Sequence, residues 1–390
     1  MEAEKNPYAP GAGRIPAALV GRQKELDAWS VGMRRIASGR DAQSVVLYGL
    51  RGVGKTVLLT RFAQMAQSDG WTVAQIEAGA TKTLRQLVGD EFQKQLADIA
   101  RPGAGKRVVR AIKTLLSFAQ ASIDTSGTWT FGLNLQDSPG GGADTGLLGA
   151  DLSRVLRDLA GAAEEQGTGV ALLVDEAQDL TNDELAALCE IQHKAGQQQD
   201  RLLIALAGLP SLPGKLADAK SYAERLFDYH VIGTLTPAES ASALIAPANE
   251  ENVAWENEAI IMVLNTAGGY PYFLQQFGND TWNAAEASPL TVADAKVGLA
   301  VGRAALDTGF FRSRWDRATP AERDYLRAMA EDGDSGSAVS DIAARLGKIV
   351  GNLSPNRASL ISKGLIYAKE YGRVAFSVPA MAEFKSRQIQ

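Results

Sequence analysis

A chain of 390 residues exceeds the size at which a single core stops growing, so two or three domains are expected. Its 45% hydrophobic and 22% charged residues exclude general disorder, and a formal net charge of −5 excludes a chain-wide attraction to nucleic acid or anionic lipid. A single cysteine, Cys189, excludes an intramolecular disulfide or a cysteine metal cluster and fits a reducing compartment.

The first stretch, MEAEKNPYAPGAGRIP, is polar and punctuated by Pro and Gly, and no later run approaches membrane-spanning length. It reads as a loose arm over 1–18 of a cytoplasmic protein that does not touch a membrane. QKELDAWSVGMRRIASG has helical spacing, and SVVLYG is a short apolar run closing on glycine, the mark of a buried strand. A helix from about Lys55, the strand WTVAQIEA and a helical region from about Thr83 to Gln120, broken at Arg101-Pro102-Gly103, follow. IDTSGTWTFGLNLQ alternates like a hairpin and runs into a Gly-rich loop, which predicts a mobile insertion at about 121–146. A helix from about Leu147, the strand GVALLVD, a helix after Asp179 and the strands RLLIALAG and YHVIG complete an α/β unit over 19–235 with a parallel five-stranded sheet.

Strand signals then vanish. Residues 236–307 read as a helical lid and FFRSRWDRA, within 308–318, as a linker. Over 319–390, three helices (TPAERDYLRAMA, VSDIAARLG and SPNRASLISKGL) precede two strands turning at Tyr371-Gly372, the order of a winged helix-turn-helix domain.

The chemistry concentrates at Gly49-Leu50-Arg51-Gly52-Val53-Gly54-Lys55-Thr56, which fits GxxxxGK[ST] and lies between an apolar strand and a helix. Gly49, Gly52 and Gly54 let the backbone wrap close to phosphate oxygens, and the amides of the loop, Val53 among them, and of the helix N-terminus face the negative charge. Lys55 adds a full positive charge, and the Thr56 hydroxyl is a ligand type suited to Mg²⁺. In GVALLVDEAQ a buried strand delivers Asp175 and Glu176 to its carboxyl end, where open α/β sheets bind ligands. The segment resembles a Walker B element, in which Asp175 would hold Mg²⁺ and Glu176 would polarise a water.

Taken in order, Leu19-Val20-Gly21-Arg22, the P-loop, Val174-Asp175-Glu176 and a terminal winged helix make the chain resemble AAA+ P-loop ATPases of the origin-recognition-like group and the related STAND signalling ATPases. The resemblance implies ATP or ADP with Mg²⁺, adenine contacts at Val20 and Gly21, and Arg225 acting in trans on a neighbouring copy's γ-phosphate after self-association. It departs at two places. RLLIALAG ends in Ala207-Gly208 where a polar sensor is usual, and Gly268-Gly269-Tyr270-Pro271-Tyr272 resembles the GxP motif of STAND proteins, which places Pro271 near the nucleotide. Slow turnover and switch-like behaviour follow from both departures.

On a winged helix, Arg357, Lys363 and Arg373 are the residues expected to face double-stranded DNA. From Thr319 onward, however, ten basic residues meet eight acidic ones, a weak electrostatic footprint equally compatible with docking a protein. The expected activity is therefore slow, Mg²⁺-dependent ATP hydrolysis coupled to movement of lid and winged helix. A nucleotide-gated DNA-binding or signalling switch with negligible turnover, and an ATP-dependent assembly scaffold that recruits a partner, are the alternatives. His193 and His230 read as structural.

Overall fold

The computed structural model describes residues 1–11, 13–79, 81–99, 106–120 and 141–387. The first unit runs α1 (Gln23–Ala37), β1 (Ser44–Tyr48), α2 (Lys55–Ser68), β2 (Thr72–Glu77), α3 (Leu84–Ile99), α4 (Lys106–Gln120), α5 (Leu148–Glu164) and β3 (Val170–Asp175). It continues with α6 (Asn182–Gln198), β4 (Leu202–Gly208), α7 (Leu212–Ala219), α8 (Ala223–Leu226) and β5 (Phe227–Val231). The five strands pair in parallel in the order β2-β3-β4-β1-β5, as the alternation of strand and helix predicts.

Because successive strand residues point to opposite faces, Val45 and Leu47 enter one core with α1 and α2, while Val46 enters another with α3 to α6. The register brings Tyr48, Glu77, Asp175 and Gly208 to one edge, so the groups at the strand carboxyl ends converge there.

The lid consists of α9 (Pro237–Glu250), α10 (Asn257–Ala267), α11 (Pro271–Ala284) and α12 (Val292–Ala305). Helix starts here are written locally: Thr236 with Glu239 and Thr291 with Asp294 form reciprocal capping boxes, as do Thr181 with Glu184 and Thr319 with Glu322. The segment read as a linker is helical instead, a π-helical turn over Leu306–Phe311 leading into α13 (Arg312–Asp316). Buried Leu306, Phe311 and Trp315 drive that outcome, since apolar burial orders a segment that would otherwise be free.

The C-terminal unit comprises α14 (Pro320–Ala330), β6 (Ser337–Ala338), α15 (Val339–Arg345), α16 (Val350–Ser362), β7 (Ile366–Glu370), β8 (Arg373–Phe376) and α17 (Met381–Arg387). Its three-stranded sheet has the order β6-β8-β7, with the β7–β8 turn at Tyr371-Gly372 as expected. Helix α16 begins at Val350, ahead of the expected start at Ser354, and carries Pro355 inside it. The core on the α1/α2 side of the sheet is continuous with those of the lid and the C-terminal unit.

Two further expectations change. The arm is not loose: Tyr8 is buried against Trp255 and Trp282, its hydroxyl donates to the Leu244 carbonyl and it accepts from Trp255 Nε1 at 3.0 Å. Aromatic burial of this size outweighs the entropy of ordering a short strap. Of the expected insertion, 121–140, including Trp129, lies outside the described residues, while Gly141 and Ala143 are tied to α4 through the Thr114 and Ser117 hydroxyls. Among the described residues no helix is long and apolar enough to cross a membrane.

Candidate phosphate-binding site

The loop between β1 and α2 is shaped by its glycines. Gly52 and Gly54 sit at φ 83° and 97°, a region L side chains rarely adopt, and a Cβ on Gly49 would collide with the Ile232 carbonyl oxygen. The ammonium of Lys55, the first residue of α2, folds back to donate to the Gly49 and Leu50 carbonyls at 3.0 and 2.8 Å. Only 9% exposed, it is pushed down to about 8 by burial, against the pull of Glu176 and Asp175.

Across the loop, Thr56 Oγ1 donates to Asp175 Oδ2 at 2.6 Å. Burial raises the Asp175 carboxyl, while the Thr56 hydroxyl and Glu176 amide bonds oppose that rise. A hydroxyl and a carboxylate side by side form a hard-oxygen pair suited to Mg²⁺, and the open glycine-lined loop with its lysine suits a polyphosphate. The residues present therefore fit a magnesium nucleotide.

Glu176 has a left-handed backbone, φ 49°, unusual for a residue with a side chain. Both its carboxylate oxygens are engaged, one by Arg51 Nη1 at 2.7 Å and the other by Gln178 Nε2 at 2.6 Å. Gln178 also accepts from the Leu209 amide at 2.8 Å, so a side-chain amide from outside β4 stands at the strand end where Ala207-Gly208 offer no polar group.

These groups open onto a cavity of about 280 Å³. Its apolar lining includes Leu19, Val20, Leu235, Ala243 and Leu274, and its polar lining includes Arg51, Lys55, Thr56, Asp175, Glu176 and Arg314. Of the residues named from the sequence, Val20, Gly52, Val53, Gly54 and Pro271 line it, whereas Gly21 and Gly49 do not. Gly21, at φ 72°, packs against Glu239 and Leu235. Arg22 braces the loop by donating to the Val53 and Gly233 carbonyls at 3.1 and 2.6 Å. Pro271 both opens α11 and lines the cavity.

Lid and C-terminal unit meet the loop directly. The Tyr270 hydroxyl donates to the Arg51 carbonyl, the Tyr272 amide to the Gly52 carbonyl at 3.3 Å, and the Arg51 amide to the Ser377 carbonyl at 3.0 Å. Arg14 of the arm and Arg314 of α13 also face the cavity. Sequence reasoning missed Arg51, Gln178 and Arg314; only Arg51 and Gln178, lying inside the two motifs, carried a local signal.

Other expected site residues lie elsewhere. Arg225 is exposed on α8 at the amino end of edge strand β5, the opposite edge of the sheet from the P-loop. Of the three residues expected to face DNA, two are hydrogen-bonded within the C-terminal unit. Lys363 donates to buried Glu322 at 2.6 Å, Arg373 donates to the Gly336 carbonyl at 2.8 Å, and half-buried Arg357 lies beside Tyr325. His230 is buried between Asp228 and Glu25, and among the described residues no cluster of three or more His, Cys, Asp or Glu could hold a metal.

Residues 308–384 match a family described as a domain of unknown function, DUF8462. No curated protein matches the chain. Among solved structures it is similar to the Walker-type ATPase PABY2304 of Pyrococcus abyssi, with 18% identity, a TM-score of 0.59 and coverage of 94% of this chain and 95% of that one. The RuvB Holliday junction branch migration motor of Thermotoga maritima aligns with 16% identity and a TM-score of 0.46, over 96% and 98%. The Aeropyrum pernix ORC1 protein in complex with DNA aligns with 16% identity and a TM-score of 0.45, over 96% and 94%. Residues 18–205 match the AAA ATPase domain family, and with the five-stranded parallel sheet and P-loop described above the chain carries an AAA-type ATPase domain.

Proposed function

We propose that the chain binds ATP and hydrolyses it slowly with Mg²⁺, converting nucleotide state into placement of the lid (236–307) and of a winged helix-turn-helix unit (319–390). The observation that carries this reading is the meeting of three regions on one loop: Arg51 and Gly52 are hydrogen-bonded at once by Tyr270 and Tyr272 of the lid and by Ser377 of the C-terminal unit. Whatever displaces the loop must disturb both neighbours.

The loop amides and Lys55 hold the phosphates, and Thr56 with Asp175 would hold Mg²⁺, which supplies neutralising charge at the phosphate oxygens. Glu176 orients the attacking water and accepts its proton. Arg225 is exposed, and at a neighbouring copy's site its guanidinium would stabilise developing charge. Slow turnover follows from the engagement of Glu176, which must leave Arg51 and Gln178 before its oxygens can serve a water.

The same clasp favours a second reading, a switch with negligible turnover in which nucleotide sets conformation by differential affinity. For the C-terminal unit, recruitment of a protein partner is better supported than DNA contact, because Lys363 and Arg373 are bound within the unit.

Mg-ATP turnover and nucleotide affinity of the wild type, Lys55→Ala and Glu176→Gln test these readings. Lys55→Ala is expected to lose roughly 100-fold in affinity, and Glu176→Gln roughly 100-fold in rate with binding retained. A wild-type rate no greater than that of Glu176→Gln would remove the hydrolase and leave the switch.

A further inference from the structure

We propose that Arg314 is a ligand for the terminal phosphate of the nucleotide, supplied by the helical linker and coupling that phosphate to the C-terminal unit; this rests on the nucleotide reading above. Arg314 lines the same cavity as Lys55 and Glu176, although it lies in α13, downstream of the whole lid.

Its charge is met by a ring face and a carbonyl rather than by a carboxylate. The guanidinium lies 4.0 Å from the Phe310 ring centroid and donates to the Phe310 carbonyl, and among the described residues no carboxylate forms an ion pair with it. The adjacent cation, Arg51, already has Glu176 as its partner at 2.7 Å. Burial and then the nearby Arg51 charge lower the Arg314 guanidinium to about 10. A half-buried cation facing a like charge is costly unless an anion enters between them, and the site beside a P-loop fits a phosphate.

The placement is held from both sides. Phe310 stacks on Tyr272 with centroids 4.8 Å apart and an interplanar angle of 21°, and the Tyr272 amide is bonded to Gly52 of the P-loop. In the other direction Phe311 stacks on Phe384 of α17 at 5.2 Å and Trp315 meets the same ring edge-on at 6.5 Å. Arg314 thus stands between the ring stacked on Tyr272, whose amide bonds the P-loop, and the rings that touch α17, so its capture by a phosphate would be felt at Phe384.

The test is the affinity of the full chain for a non-hydrolysable ATP analogue and for adenosine, in the wild type, Arg314→Gln, Arg314→Lys and Lys55→Ala. Arg314→Gln is expected to lose about 10- to 100-fold toward the analogue and less than about threefold toward adenosine, with ligand-free melting unchanged or raised. Analogue affinity within about threefold of wild type, while Lys55→Ala loses binding, would overturn the role of Arg314 and leave the P-loop reading intact. An equal loss for adenosine would make Arg314 a packing residue and also overturn it. If the wild type and Lys55→Ala bind the analogue equally poorly, the nucleotide reading itself fails and takes the proposal with it. Should Arg314→Gln not fold, Arg314→Lys carries the test: a loss of more than about threefold supports the role and an unchanged affinity overturns it.

Discussion

At the P-loop, backbone does the shaping: two glycines at positive φ, a third pressed against the Ile232 carbonyl and a lysine wrapped onto its own loop carbonyls fix the site with few side-chain partners. In the C-terminal unit, side chains do it. Glu322 is clasped by Lys363, Asp332 accepts two bonds from Arg345 at 2.6 Å each, and Phe384 is buried against Phe311 and Trp315. The difference teaches that a basic residue in the first region lines an open cavity, whereas in the second it binds the unit together, so counting lysines and arginines there misjudges the surface.

The largest expected effect tests the side-chain region. Phe384 is fully buried, and Phe384→Ala should cost about 3–5 kcal/mol and loosen the C-terminal unit first. Hydrogen exchange in α14 and α17 measures it; unchanged protection there would deny that aromatic packing holds the unit.

Next comes Lys363→Ala, which leaves Glu322 buried without its cation and should cost about 2–3 kcal/mol in chemical denaturation at neutral pH. Burial works against the Glu322 carboxylate, but Lys363, Ser359 and the Thr319 amide outweigh it and hold the carboxyl at about 2. A depressed carboxyl stabilises the fold above its ordinary value of 4.5 and loses that contribution as pH falls toward 2. The variant should therefore show a shallower acid loss than wild type. Weakened DNA binding with stability intact would instead return Lys363 to the surface role first expected of it.

The smallest effect isolates the backbone region. A Cβ at Gly54 meets nothing within 4 Å, so Gly54→Ala is charged only for its dihedral, about 1 kcal/mol in thermal unfolding. A markedly larger cost would mean that space, rather than conformation, selects glycine there.

The same contrast explains what could be read from the chain. Strands such as LLIALAG, the P-loop, the Thr-x-x-Glu helix starts and the Tyr371-Gly372 turn are set by neighbours a few residues away, and all were legible. The binding of Tyr8 by Trp255 and Trp282, the arrival of Arg314 in the cavity and the internal use of Lys363 depend on partners far along the chain, which no local pattern encodes. Gln178 lies between these cases: its position two residues after Glu176 was visible, but its service to the end of β4 required the fold.

The π-helical turn at Leu306–Phe311 sets the angular phase of everything after it. Each residue of an ordinary helix advances the chain by about 100°, so deleting one residue in this turn would swing Arg314 away from the cavity and offset the aromatic rings beneath it. The turn thus works as a spacer whose length in residues, more than its composition, decides whether the two halves of the protein are in step.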